Sequence, residues 1–340
     1  MKAGLLFAGQ GAQYPGMGKE LYDRSPAARK IFDQAGEDVK KWCFEGTKEE
    51  LRQTHVTQPS VFTVSVAACD AFFEAWKQEG VPAPGEPAGT GAFSVTGLAG
   101  FSMGEYAALY AGGCFKDFET ALALLAKRGE YMAQAGKYAD GSPRGAMLAV
   151  FGERAAILEC VAAVASVQGD DVLEAVNFNA PGQTVVAGDQ DAVSRLREKI
   201  KGTAGLKAVP LNVSTAFHSA IMEPASPKFA AHVSGFDFSA PKIPVYSNIT
   251  GRPLMADKPQ GETDADWIRG RLALQLKNPV YWQETIENMI ADGVGLFIEF
   301  GPGQTLTGLV KKIDGTAAAL HVEDAESLTA TVAAVKALLG

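Results

Sequence analysis

Ser102 stands in the stretch GFSMGEYAAL, with Gly100 two residues before it and Gly104 two residues after it. That spacing belongs to a nucleophile elbow. A strand there turns into a helix so tightly that the flanking positions carry no side chains, and the serine hydroxyl is pushed into the open. The β-type run FSVTGL ends just before the motif, helix formers run from Glu105 to Ala111, and Gly112 and Gly113 stop that run. At the helix start the backbone N–H of Met103, backed by the helix dipole, would face an oxyanion developing beside Ser102. In a chain with 37 glycines G-x-S-x-G alone says little; the strand before it and the helix after it give it weight.

A serine nucleophile needs a base, and the four histidines are His55, His218, His232 and His321. His218, in STAFHSAIMEP, follows a strand-like run and lies among small residues. His232 falls at a helix end, and His55 and His321 sit in polar segments. Position therefore favours His218. An α/β-hydrolase triad would place an Asp or Glu between serine and histidine in chain order, with the histidine near the C-terminus. Here a long stretch of chain follows His218, and no intervening acid stands out on a strand-end loop. The residues thus favour a Ser–His dyad whose histidine is oriented by something other than a carboxylate. A serine esterase or thioesterase stays open on these grounds.

The elements that must carry these residues can be read in outline. Residues 3–8 (AGLLFA) form a short buried strand that runs into GQGAQYPGMG. That loop lacks the G-K-[ST] ending of a phosphate loop. A helical pattern covers Ser25 to Lys41. A long apolar helix starts at Gln58-Pro59-Ser60, with Pro59 in its first turn, and reaches about Trp76. The Pro/Gly-rich stretch from Gly80 to Gly91 reads as a surface excursion. From 145 to 212 the order is strand, helix, strand, strand, helix, strand, which is the ferredoxin-like split unit. The body resumes with VYSN at 245–248 and with VGLFIE at 294–299, which opens into GPGQTLTGLVKK; a strand near Ala317 to Val322 and a helix near Glu326 to Leu339 end the chain. The fold class expected is α/β: an α/β-hydrolase-like core with a parallel sheet, residues 1–140 and 213–340, interrupted by a ferredoxin-like (βαββαβ) subdomain at 141–212.

Composition narrows the classes. The 340 residues are 47% hydrophobic and 21% charged, a globular chain of about two domain lengths. A formal net charge of −8 argues against nucleic acid, which needs a basic face. Cys43, Cys69, Cys114 and Cys160 lie far apart without C-x-x-C, and read as buried thiols of a reducing compartment. No stretch approaches a signal peptide or membrane span, so the expected setting is the cytoplasm, without membrane association.

The motifs GQGAQ, TQPS, GFSMGEYAAL, KRGEYM, NFNAPGQTVVAG, TAFHSAIM, QLKNPVYW and FGPGQTLTGL occur in that order. Together they resemble the malonyl-CoA:acyl carrier protein transacylases of bacterial fatty-acid synthesis and the related acyltransferase domains of polyketide synthases. The resemblance spans essentially the whole chain. It implies that Ser102 takes the malonyl group from malonyl-CoA and hands it to the phosphopantetheine thiol of holo acyl carrier protein. It implies His218 as the base, and Gln10 and Met103 as the oxyanion-hole N–H donors. Arg128 in KRG is implied to grip the malonyl carboxylate, a task suited to a bidentate guanidinium. Gln275 in QLKNP is implied to orient the histidine through its main-chain carbonyl, and Phe217 in AFH to crowd the carbon between the two malonyl carbonyls. A monomer without metal or redox cofactor is expected. Phe101 departs from the family, where histidine usually precedes the nucleophile. A trans-acting polyketide acyltransferase, another acyl unit and a silent carrier-docking chain are the alternatives. An acidic carrier protein needs a local basic face, for which SRLREKIKG and Lys311-Lys312 are the densest candidates.

Overall fold

Nine strands and the helices between them are arranged around two separate sheets in the computed structural model, which describes residues 1–79, 93–165, 171–213 and 215–339. The strands are β1 (Lys2–Phe7), β2 (Ser94–Gly100), β3 (Ala146–Phe151), β4 (Leu173–Ala180), β5 (Gln183–Gly188), β6 (Lys207–Pro210), β7 (Val245–Tyr246), β8 (Leu296–Phe300) and β9 (Ala318–Val322). The larger sheet has the order β7-β2-β1-β8-β9 and is parallel throughout. Its central strand β1 is apolar and buried except at Lys2, as a parallel strand covered on both faces must be. The register sets Phe7 beside Gly100 and Phe300, so the loops leaving β1, β2 and β8 emerge together at the carboxyl edge. Open parallel sheets hold their ligands at that edge.

The smaller sheet is antiparallel, in the order β4-β5-β3-β6. Its chain order and pairing are those of the ferredoxin-like unit read from the sequence. Alternation along β3 divides its two faces: Leu148 and Val150 pack with helices Arg154–Ala165 and Gln190–Lys201, whereas Met147 and Ala149 join the main core. Edge strand β4 continues into the larger body, because Phe178 N–H donates to the Val280 carbonyl and Val280 N–H to that of Val176, at 2.9 and 2.8 Å. The ion pair Arg154–Glu284, at 2.7 Å, adds a second tie.

Two expected boundaries differ. The pattern from Ser25 to Lys41 forms two helices, Pro26–Ala35 and Glu37–Glu45, because Gly36 takes φ 89°, ψ 171° and breaks the run. The long apolar helix runs from Thr54 to Gln78, so Pro59 lies inside it and not in its first turn. Gln53 caps that helix without a side-chain bond, so no capping residue marks its start in the sequence. Residues 56–69 are buried without exception, which accounts for the absence of an amphipathic stripe. The excursion expected at Gly80 to Gly91 lies outside the described residues.

Candidate active site

The turn between β2 and helix Gly104–Ala111 holds Ser102 at φ 52°. Both glycines of the motif are sterically required. A Cβ on Gly100 would fall 1.9 Å from the Gly104 carbonyl, and one on Gly104 would fall 2.3 Å from the Phe7 oxygen. Among the described residues the only other non-glycine with positive φ is His218, at 61°. Each such residue costs about 1–3 kcal/mol, and that cost is tolerated where surrounding contacts over-determine the geometry. Those contacts are present. Asn248, just past β7, accepts from Ser102 N–H at 2.7 Å and donates to the Gly100 carbonyl at 2.7 Å. Ser219 Oγ donates to the Ala216 carbonyl at 2.7 Å and closes the loop around His218.

Ser102 Oγ and His218 Nε2 are 2.7 Å apart. On the other side of the ring, Nδ1 faces the carbonyls of Gln275 and Asn278 at 3.0 and 3.1 Å. Carbonyls only accept, so Nδ1 carries the hydrogen and Nε2 is left to accept from the serine. Gln275 is the last residue of helix Asp264–Gln275, and its carbonyl belongs to the negative end of that helix dipole. A helix terminus thus stands where a triad would have a carboxylate. Burial first and the Arg128 charge second push the His218 pKa down to about 4, against the pull of the two carbonyls.

Arg128, on helix Phe118–Ala135, is 0% exposed. Its Nη2 donates to Ser102 Oγ at 3.2 Å and to Gln275 Oε1 at 3.0 Å, and its Cζ lies 5.5 Å from the Tyr106 ring centroid. The Gln275 amide separates this cation from the buried carboxylate of Glu105, donating to Glu105 Oε2 at 2.7 Å and to the Ser102 carbonyl at 2.9 Å. Glu105 Oε2 also accepts from Asn248 N–H at 3.1 Å. Burial pushes the Glu105 pKa up to about 7, against the pull of these donors and of Arg128. Arg128 therefore forms no ion pair among the described residues, although burying an unpaired charge is costly.

Gln10 follows β1 and Met103 precedes the elbow helix. Neither backbone N–H has an acceptor among the described residues, so both remain available to a ligand. The cavity at the sheet edge has a volume of about 230 Å³. Ser102, His218, Arg128, Gln10, Phe217 and Phe101 all line it, so six of the residues singled out in the sequence meet there. Met103 is wholly buried, and neither it nor Gln275 is among the residues that line the cavity. The facing wall belongs to the smaller sheet, where Asn177 and Asn179 hold buried Oδ1 atoms without partners among the described residues. Sequence reading missed Asn248, Glu105 and the Asn278 carbonyl. All three lie in VYSN, GFSMGEYAAL and QLKNPVYW, but nothing local distinguishes an Asn after a short strand, a Glu in the first turn of a helix or a carbonyl in the turn after one.

Phe101 lines the cavity with its ring centroid 5.4 Å from that of Trp282. His218, the residue that faces the Ser102 hydroxyl, is on another element. Phe101→His is expected to change the acylation rate by less than about tenfold, or about 1.4 kcal/mol, in a rapid-quench measurement. A larger loss would show that phenyl packing against Trp282 sets the elbow.

A serine paired with a histidine at a sheet-edge elbow, with two free N–H groups beside it, defines an acyl-transferring enzyme of the serine type. Residues 5–331 match the acyl transferase domain family, and the chain belongs to that family. It is 37% identical over 339 residues to the malonyl CoA-acyl carrier protein transacylase of Bacillus subtilis (strain 168), covering 98% of both chains. It is 36% identical over 332 residues to that of Escherichia coli (strain K12), covering 96% of this chain and 97% of the relative. A solved malonyl-transacylase in complex with its type II PKS acyl-carrier protein superposes with a TM-score of 0.84 at 34% identity. The match covers 98% of this chain and 100% of that one.

Proposed function

We propose that the protein transfers the malonyl group from malonyl-CoA to the phosphopantetheine thiol of holo acyl carrier protein, supplying fatty-acid chain elongation. The observation that carries this reading is Arg128: a fully buried guanidinium, without a carboxylate partner of its own, 3.2 Å from the nucleophile. An acyl group that brings its own carboxylate completes that site, and an acetyl group does not.

In the first half-reaction Ser102 Oγ attacks the thioester carbonyl while His218 Nε2 takes the hydroxyl proton. The N–H groups of Gln10 and Met103 hold the resulting oxyanion, and the carbonyls of Gln275 and Asn278 stabilise the imidazolium. Collapse breaks the C–S bond, and the departing thiolate of coenzyme A takes the proton from His218. The second half-reaction runs these steps in reverse with the carrier thiol. Phe217, 7% exposed on the cavity wall, limits bulk at the carbon between the malonyl carbonyls. In this reading residues 1–140 and 213–340 form the core domain and 141–212 the subdomain that walls the cleft. All of these groups come from one chain, which suits a monomer. The net charge of −8 disfavours nucleic acid. Among the described residues no helix is long and apolar enough to cross a membrane, and four buried free thiols suit the cytoplasm.

Radiolabelled malonyl-CoA tests the reading. The protein is expected to retain label and to release it to holo acyl carrier protein faster than to water. Faster release to water would make it a thioesterase, and no label at all would end the transfer mechanism. Arg128→Ala is expected to lose about 2–5 kcal/mol of malonyl transfer, the usual loss when one partner of a buried charged contact is removed, while gaining in relative activity on acetyl-CoA. An unchanged malonyl-to-acetyl preference would remove the carboxylate clamp.

A further inference from the structure

A second groove opens beside the catalytic cavity. It shares Gln10, Gly11, Leu211 and Val213 with that cavity, so the two are continuous around the loop after β1 and the chain leaving β6. Its far wall carries Lys48 and Arg52, from the short helix Lys48–Leu51 and the residue after it. Arg52 Nη1 donates to Asn212 Oδ1 at 3.2 Å, which holds the guanidinium across the groove toward the β6 side.

The charge here is unusual for this chain. Several cations elsewhere are paired with carboxylates: Arg195 with Asp171 at 2.8 Å, Lys201 with Glu198 at 2.5 Å, and Lys40 with Glu37 at 2.6 Å. Other surface hollows mix signs, Arg29 and Lys30 with Asp33 in one, Lys19 and Lys40 with Glu37 and Asp38 in another. The groove at Lys48 and Arg52 is lined by two cations and no carboxylate, and neither cation forms an ion pair among the described residues. Glu50, on the same helix, is turned to the Thr47 cap, where it accepts from Thr47 N–H at 2.8 Å. The long-range field of a chain at −8 repels anions, so a groove of cations alone is where one can be held locally.

We infer that Lys48 and Arg52 bind the phosphate that ends a pantetheine arm whose thioester lies at Ser102. This rests on the thioester substrates proposed above. Coenzyme A and holo carrier protein share that chemistry, a phosphate ester joined to the arm's distal end. A guanidinium and an ammonium are the side chains that bind phosphate oxygens with charge-assisted hydrogen bonds. Both residues are exposed and touch none of the reacting groups, so their contribution is to affinity and not to the chemical step.

The test is the double variant Lys48→Ala, Arg52→Ala, assayed in each half-reaction with malonyl-CoA, with holo carrier protein and with malonyl-pantetheine, which has the arm without the phosphate. The KM for malonyl-CoA is expected to rise about tenfold with kcat within about twofold, as for loss of peripheral charges, and its salt dependence to weaken. With malonyl-pantetheine the KM stays unchanged. A KM rise in both half-reactions bears out the arm's own phosphate, and a rise with malonyl-CoA alone, which places the contact on the nucleotide end of coenzyme A, overturns the inference. An equal rise with malonyl-pantetheine, or no rise with any phosphorylated substrate, overturns the inference. Wild-type protein that takes malonyl from neither thioester would instead overturn the transfer reaction itself.

Discussion

Ser102→Ala is expected to retain no malonyl label and to lose transfer activity by a factor on the order of 10⁴–10⁶, the range for removing a covalent nucleophile. The change should leave the elbow in place. Ser102 is held through its backbone, by Asn248 at its N–H and by Gln275 at its carbonyl, and alanine keeps both bonds. The side chain gives up only its contacts to His218 and Arg128. Mass spectrometry of the acylated protein, with a thermal melt alongside, separates the outcomes. Label retained by a stable Ser102→Ala protein would place the acyl group on another residue.

The second large effect belongs to His218. Replacing it by alanine is expected to slow acylation by about two to four orders of magnitude, the usual value of a positioned general base. The same residue sets the pH profile. Burial lowers the His218 pKa from 6.5 to about 4, so the ring is neutral and able to accept a proton throughout the physiological range. Acylation should therefore be flat from about pH 6 to pH 8 and fall below about pH 5 as the ring takes up its proton in the resting enzyme. Glu105 gains its proton near pH 7 without disturbing this, because both of its hydrogen bonds fall on Oε2 and a proton on Oε1 leaves them intact. A midpoint near 6.5 in the rapid-quench acylation rate would mean a solvated histidine, and full activity in His218→Ala would mean a different base.

How far the site was legible follows the range of the interactions. The elbow is local. Gly100, Ser102 and Gly104 lie within five residues, and the clashes that forbid a Cβ there come from the same turn and from the neighbouring strand β1. Strand and helix runs of the ferredoxin-like unit were readable because their hydrophobic periodicity is local too. The start of helix Thr54–Gln78 was not, since it has no capping side chain and is apolar all round. Arg128 was recognisable by its motif, but on its helix it stands beside Lys127 and Glu130, which form an ordinary ion pair at 2.7 Å. Only the fold shows that Lys127 and Glu130 are part-exposed while Arg128 beside them is wholly buried.

By itself the sequence determined the kind of chemistry: a serine in a turn that exposes its hydroxyl, a histidine in a loop of small residues, and no acid placed to complete a triad. Tertiary structure decided what takes the place of that acid. The carbonyls of Gln275 and Asn278 come from the end of a helix and the turn after it, 57 and 60 residues further along the chain, and no local pattern links a helix terminus to a distant imidazole. Asn248, Glu105 and the Gln275 amide form one hydrogen-bonded assembly only because parallel strands and their crossover helices bring them to the same edge of the sheet. The residue types are set by composition and short-range sterics. Their partners are set by which loops emerge together, and that is a property of strand order.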